Sequence, residues 1–410
     1  KQRCFTNYLP GFNIPMLPRE LSDELCSLIA NETRPALVCY IETDLAGNIT
    51  AKPHFVSAYV QSKAKLAYNK VSDYLEQADN AWQPETPETA QQIHWLHQFT
   101  KARIQWHKTH SLLFKEKPDY AFVLAENGKV QEIKAEYRRI ANQIVEEAMI
   151  IANICAAQFL HEQAKTGIFN THSGFDKKFL ENAHHFLMAN LANEQNQTEL
   201  AERYSVENLA TLNGYCQMRH DIEPIESDYL ELRLRRYLTF AEFKSELAPH
   251  FGLGLEGYAT WTSPIRKYSD MVNHRLIKAV LAKQPYEKTQ NDVLARLQEA
   301  RRQNRLVERD IADWLYCRYL APKVAENVEF NAEVQDVMRG GLRVQLLENG
   351  ASMFIPASTL HNNKEEMQVN SDEIALYIKG ERTYKIGDIV KVKLTEVKEA
   401  TRSIVGEILQ

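Results

Sequence analysis

Residues 258–275 read Tyr-Ala-Thr-Trp-Thr-Ser-Pro-Ile-Arg-Lys-Tyr-Ser-Asp-Met-Val-Asn-His-Arg, and they concentrate groups that suit phosphate chemistry. A glycine-rich approach, Phe251-Gly-Leu-Gly-Leu, leads into them. Ser263 and Pro264 predict a helix start, because the hydroxyl can accept from a free N–H of the first turn and proline has no N–H to leave unpaired there. Free N–H groups and the helix dipole make such a start an anion site. Arg266 falls in the predicted first turn, and its planar fork matches a phosphate better than an ammonium would. The same residues also suit an ordinary cap, with Arg266 paired to Asp270 one turn on.

Other reactive side chains are more dispersed. Phosphodiester hydrolysis commonly uses two divalent metals about 4 Å apart, clamped by clustered carboxylates. Glu146-Glu147 and Glu365-Glu366 are adjacent pairs, and Asp310 and Asp313 share a helix face, but none of these makes a two-metal site. Histidines pair at His94/His97, His107/His110 and His184/His185. The first two have helical i, i+3 spacing but no third ligand, so solvated helix faces are expected. The six cysteines contain no C-x-x-C pair, which favours free thiols in a reducing cytoplasm over a zinc ribbon.

The elements that must position these groups follow from pattern. With 410 residues, 44 % apolar and 25 % charged, the chain suits two or three globular domains. No run of about 18 apolar residues stands out as a membrane span. The segment from Leu9 to Pro18 is proline-rich and reads as an irregular loop, with a short helix starting at Ser22. Strands are expected at Ala36–Ile41 and at about residues 49–62, and helices at about 63–77 and 87–110. Asn127-Gly128 between two β-rich runs signals a hairpin. Ile140, Ile144, Val145, Ala148, Ile151, Ala152 and Cys155 repeat at helical spacing, so a long core helix is expected over about 138–162. Further helices fit residues 176–190, 226–238, 266–283 and 294–320. From Val328 the pattern changes to short β runs with turns at Gly340-Gly341, Asn349-Gly350 and Ile386-Gly387, which suits a five-stranded OB-type barrel. Residues 321–327 read as a linker, and 328–410 as a module that folds by itself.

These motifs carry a resemblance. The segment around Arg266 resembles the closing motif of the catalytic domain in the ribonuclease II (RNB) family of 3′-to-5′ exoribonucleases. Residues 5–27 resemble the segment after that family's metal site, residues 139–149 its central helix, and residues 301–309 its late helix. The tail resembles an S1 RNA-binding domain. The resemblance implies an α/β (α+β) catalytic domain over residues 1–322, incomplete at its N-terminus, and an all-β S1 barrel over 328–410. It implies hydrolytic, processive degradation of single-stranded RNA to nucleoside 5′-monophosphates, with Mg2+ as cofactor. The family's aspartate ligands are expected upstream of residue 1, so the chain alone is expected to be inactive, and no metal ligand is assigned within it.

The resemblance also assigns roles. Arg266 is placed at the scissile phosphate, with Ser263, Asp270 and His274 in support. Tyr8 and Phe114 match base-clamping positions, although Phe114 within Leu-Leu-Phe also suits a core. Tyr68 and Glu146 match ribose-sensing positions, and Glu146 suits an ordinary helix-surface acid equally well. Glu308 matches a position near the channel end, with an ion pair to Arg305 or Arg309 as the alternative. In the tail, Phe330, Arg339, Arg343, Phe354 and His361 fall where an S1 barrel carries its RNA face. The tail holds 10 basic and 13 acidic residues, so stacking and a local patch must supply the binding. Single-stranded RNA is the expected partner, with no membrane span and a monomeric state. A non-catalytic RNA-binding protein on the same scaffold is the second reading.

Overall fold

The computed structural model describes residues 3–113 and 117–409. A short hairpin, β1 (Asn7–Leu9) and β2 (Phe12–Ile14), opens the chain and replaces part of the expected loop. A π-helical turn at Glu20–Leu25 follows. Then β3 (Thr33–Tyr40) and β4 (His54–Gln61) pair antiparallel, ahead of α1 (Tyr68–Leu75) and α2 (Pro87–His110). The start of α2 has proline at its first position, and Thr86 accepts from the Thr89 N–H. The Asn127-Gly128 turn joins β5 (Asp119–Leu124) to β6 (Val130–Glu136).

The central helix is α3 (Ile140–Phe159), continued by a π-helical turn to Ala164. The combined helix is long and apolar enough to cross a membrane by length and composition. Here it is a core helix: Cys155, Ala156, Ala157 and Leu160 pack with Phe55, Trp261 and Ile277, and its polar Asn153 is hydrogen-bonded inside. Strand β7 (Phe169–Thr171) pairs with β8 (Glu242–Lys244). Between them lie α4 (Leu180–Leu191), α5 (Gln197–Arg203), α6 (Val206–Leu209), α7 (Leu212–Ile222) and α8 (Asp228–Arg235). These short helices enclose a core of their own around Leu187, Leu209, Met218 and Leu234.

Two helices close the first domain: α9 (Tyr268–Leu281) and α10 (Asn291–Ala325). The 35 residues of α10 span about 52 Å at 1.5 Å per residue. Its first half buries Leu294 and Leu297 beside Cys4, Ile168 and Phe243. Its last turns bury Leu315, Tyr316, Cys317 and Leu320 among the strands that follow. The expected linker is therefore mostly helix, with Pro322 accommodated in the last turns.

Beyond α10, the strands β9 (Glu329–Met338), β10 (Gly341–Leu346), β11 (Ser352–Pro356), β15 (Ile389–Lys398) and β16 (Ser403–Ile408) close a barrel in the order β10-β11-β16-β15-β9. Gly341 stands at φ +142° where a Cβ would lie 1.9 Å from the Ile355 carbonyl oxygen, so the β9–β10 corner requires glycine. Between β11 and β15 the chain inserts α11 (Ala357–Leu360) and a separate sheet of β12 (Met367–Asn370), β13 (Ala375–Ile378) and β14 (Glu381–Lys385). The barrel core also takes in Val130 and Ile133 of β6 as well as the end of α10, so it is continuous with the first domain.

Leu320 is fully buried where α10 meets the barrel. Leu320→Ala is expected to cost about 2–5 kcal/mol. Because the core is shared, it should lower the melting temperature of the chain as one cooperative transition followed by circular dichroism. Early release of the barrel alone, with the first domain unmoved, would contradict the shared core.

Candidate active site

The loop before α9 has no regular secondary structure and is organised by buried polar side chains. Asp270 is fully buried. Its Oδ1 accepts from Thr260 Oγ1 at 2.7 Å and Ser269 Oγ at 3.0 Å, and its Oδ2 accepts from the Ser263 N–H at 2.9 Å. Three donors compensate the charge for its lost water. Asn273 works beside it. Its amide group donates to the Ile168 and Thr260 carbonyls at 3.0 and 2.9 Å, and its oxygen accepts from the Ile168 N–H at 2.8 Å. From α3, Asn153 accepts from the Trp261 N–H at 3.2 Å and donates to the Tyr258 hydroxyl at 2.9 Å. His274 Nε2 donates to the Trp261 carbonyl at 2.7 Å, and burial holds its pKa below the ordinary imidazole value.

The helix starts at Tyr268, four residues later than Ser263 and Pro264 suggest. The reason is Asp270: its carboxylate takes the Ser263 N–H, while the Ser263 carbonyl accepts from the N–H groups of Arg266 and Lys267 at 3.2 and 3.0 Å. Arg266 thus sits in a tight turn, and Ser263 caps no helix. The Arg266 guanidinium is partly exposed and makes no hydrogen bond or ion pair among the described residues. The alternative pairing with Asp270 is absent there, since that carboxylate is occupied by the loop.

The N-terminal segment fixes the other side of this turn. Phe5 bridges Lys267 antiparallel, the Thr6 N–H donates to the Arg266 carbonyl at 3.0 Å, and the Tyr268 N–H donates to the Cys4 carbonyl at 2.9 Å. The same segment runs directly into β1 and the half-exposed Tyr8. The Tyr8 N–H donates to Glu308 Oε1 at 3.2 Å, and Asn304 Nδ2 donates to the same oxygen at 2.9 Å. Glu308 therefore anchors Tyr8 and pairs with neither Arg305 nor Arg309. Arg266, Tyr8 and Glu308 form one connected group.

A second group surrounds the start of α3. Tyr68 is the first residue of α1 and half exposed. Arg139 binds Asp73 of α1 at 2.7 Å, and Ser72 Oγ accepts from the Ala141 N–H at 3.1 Å, so α1 is locked onto α3. Glu146 pairs with Arg138 and lines a cavity of about 120 Å³ with Leu112, Leu113 and Gln143. Phe114 lies outside the described residues. Glu146 and Asn153 are seven residues apart, about 10 Å along α3, so one helix carries both the second group and the amide that holds the Arg266 loop.

Sequence patterns did not bring out the network beneath that cavity. His107 is buried, not solvated: its Nε2 meets Glu147 Oε2 at 2.9 Å, and its Nδ1 pairs with Ser111 Oγ. Arg103 lies 3.9 Å from the same carboxylate and stacks on Trp106. This network fixes the end of α2, from which Leu112 and Leu113 depart. The signal was a helical face, Ile93, Thr100, Arg103 and His107, all of it buried. Gly254 closes the same corner at φ +65°, where a Cβ would lie 2.9 Å from Ser111 Cα.

On the barrel, Arg343 and Phe354 face each other across β10 and β11 on the outer surface, and Arg339 is exposed at the adjoining turn. Phe330 does not join them. It alternates with the inward Ala332 and Val334 and is buried in the barrel core. His361 is held by Glu366 at 2.6 Å.

A mostly helical α+β domain followed by a closed five-stranded barrel, with an arginine in a clamped turn that has no side-chain partner among the described residues, defines a two-part architecture suited to nucleic acid. The RNB domain family matches residues 1–283, and the S1 RNA binding domain matches residues 323–409. The chain belongs to the RNB family. It is 96 % identical over 410 residues to "Exoribonuclease 2" of Haemophilus influenzae strain Rd, and 77 % identical over 409 residues to the protein of the same name in Actinobacillus succinogenes. All of this chain is covered in both cases, and it spans 62 % of the length of each relative. In fold it resembles Mycoplasma genitalium RNase R in complex with ribose methylated single-stranded RNA, with a TM-score of 0.82 at 21 % identity, over 100 % of this chain and 63 % of that one.

Near the glycine-rich approach, His172 and His250 stack with ring centres 5.7 Å apart. His172 Nδ1 accepts from the N–H groups of Gly174 and Gly252, and its Nε2 donates to the Thr239 carbonyl at 3.0 Å, which fixes the neutral ring. Burial first, then His172 and Arg301, push the His250 pKa down from 6.5 to about 4, against a backbone hydrogen bond that raises it. A depressed histidine pKa means that the unfolded chain binds the extra proton first, so stability falls as pH drops from about 6.5 towards about 4. Guanidinium unfolding midpoints at pH 7 and pH 4.5 should show this loss, and His250→Phe should reduce it. An unchanged difference in the variant would exclude His250 as its source.

Proposed function

We propose that this chain serves a processive, hydrolytic 3′-to-5′ exoribonuclease that degrades single-stranded RNA to nucleoside 5′-monophosphates. The observation that carries the reading is the Arg266 turn: a partly exposed guanidinium without an acidic partner among the described residues, on a backbone clamped from both sides. The names of the two relatives and the RNA-bound structure of similar fold support the substrate class.

In this reading Arg266 receives the scissile phosphate and neutralises the charge that builds on its oxygens as water attacks. The backbone that carries it is clamped in advance, so the turn itself need not rearrange for the step. Tyr8 stacks the terminal base, and Glu308 keeps it there through the Tyr8 N–H. Glu146 accepts from a ribose 2′-hydroxyl near Tyr68, which favours RNA over DNA. Phe114 completes the clamp. Arg339, Arg343 and Phe354 on the barrel grip the strand before it enters. Mg2+ is the proposed cofactor. Among the described residues no three His, Cys, Asp or Glu side chains group to hold an ion, so none is assigned as a ligand and no step is routed through the metal. The proposed setting is messenger RNA decay by a monomer in the cytoplasm.

Arg266→Ala, in the chain extended to the length of its relatives, should slow single-turnover hydrolysis of a labelled oligoadenylate about a hundredfold, or about 3 kcal/mol. Affinity should fall much less, because other phosphates remain held. Equal losses in both would make Arg266 a general RNA anchor. The 410-residue chain without extension should bind the oligomer and release no mononucleotide. Binding without hydrolysis in the extended protein as well would favour an RNA-binding protein on this scaffold.

A further inference from the structure

A cavity of about 1010 Å³ opens where the short helices of the RNB domain meet the sheet inserted in the S1 barrel. It is apart from the Arg266 loop: its walls come from α4 and α8 on one side and from β14 and the turn before β13 on the other. Arg233 forms its floor. This side chain is only 6 % exposed. Its Nε donates to the Asp372 carbonyl at 2.7 Å, and its guanidinium lies over the rings of Tyr237 and Phe186, 4.5 and 5.5 Å from their centres. The two Nη groups have no hydrogen bond among the described residues, and no described carboxylate lies within ion-pair distance of them.

The outer edge of this guanidinium faces the cavity with no protein acceptor among the described residues, and a planar fork with a free edge fits two phosphate oxygens at once. Lys385 adds a second charge at the rim, its Nζ 4.8 Å above the Tyr229 ring. Three cations line the cavity, Arg233, Arg382 and Lys385, against the two carboxylates of Asp372 and Glu373. Glu373 is already engaged by Arg382 at 3.6 Å and by the Tyr377 hydroxyl at 2.7 Å. The volume lies at the upper end of what small-molecule sites occupy, about 300–1,000 Å³.

We propose that this seam cavity is a second nucleotide site, with a phosphate held by Arg233 and Lys385 and the nucleoside against the walls of Phe186 and Tyr229. The nucleotide class rests on the RNA reading above. Its source is either a free nucleoside 5′-monophosphate or an internal unit of a bound strand. Because one wall belongs to each domain, occupancy fastens the barrel to the RNB helices beside the direct contacts of Arg236 with Asp336 and the Gln335 carbonyl.

The test measures binding of AMP and of a labelled decaadenylate to the 410-residue chain by equilibrium dialysis. Two variants avoid the seam contacts made by Arg233. Lys385→Glu reverses the rim charge, and Ala189→Trp fills the cavity from an exposed position on α4. Both should weaken at least one ligand tenfold or more, with melting temperatures kept as the check on folding. Loss of AMP binding identifies the free nucleotide as occupant, and loss confined to the decaadenylate identifies the strand. Unchanged affinity for both ligands in Ala189→Trp, with its melting temperature kept, overturns the site while leaving the function reading intact. Failure of the parent chain to bind decaadenylate would strike that reading instead, and AMP would then decide the cavity by itself.

Discussion

The Asp270 carboxylate is the constraint on which the rest of the site hangs. A buried carboxylate must be met by donors, and here the donors come from a hydroxyl before the turn, a backbone N–H within it and a hydroxyl at the helix start. Satisfying that one charge therefore folds the loop. The folded loop offers its outer edge to residues 4–6, and that pairing sets where Tyr8 emerges and which carboxylate can reach its N–H. Replacing Asp270 by an apolar residue would leave all three donors short of an acceptor, which costs more than the bonds themselves are worth. Asn273 and Asn153 extend the same logic, since each trades amide hydrogen bonds for backbone groups that no regular element satisfies.

The second organising feature is a core that ignores the boundary between the two domains. The residue pattern changes sharply at Val328, yet the buried cluster of the barrel includes α10 and the β5–β6 hairpin. Tyr120 reinforces the join: its hydroxyl donates to the Leu347 carbonyl at 2.8 Å, and Gly350 leaves room for its ring. The outward Arg343 and Phe354 are consequently carried on a surface whose inner side is held by the first domain.

The sequence made the elements legible wherever a local period or turn decided them. The spacing along α3, the Asn127-Gly128 hairpin and the glycine turns of the barrel each rest on interactions within a few residues. What was hidden rests on distant partners. Ser263 and Pro264 look like a helix start, and only a carboxylate seven residues on, folded back by the tertiary structure, moves that start to Tyr268. Residues 321–327 look like a linker because of Pro322, but apolar contacts on both sides keep the helix intact through it. The His107/His110 spacing suits a solvated face, whereas the face that His107 shares with Ile93 and Thr100 points inward. Phe330 is different: its alternation with Ala332 and Val334 encodes an inward side chain, although its aromatic type suits an RNA face equally well. The connection from Tyr8 to Glu308 crosses 300 residues of chain, and no local pattern encodes it.

A continuous helix between two domains fixes angle as well as distance. Each residue of α10 advances the chain by about 1.5 Å and turns it by about 100°. One residue added to a flexible tether would change its reach slightly. One residue added to the exposed middle of α10 would swing the barrel through more than a quarter of a revolution, tear Leu315, Tyr316 and Leu320 from their pockets and point Phe354 elsewhere. The number of residues between Leu297 and Leu315 is thus a phase setting. Exposed side chains on that stretch other than contact-makers such as Asn304 and Glu308 can change without moving the barrel, but the length can change only in steps that restore the azimuth.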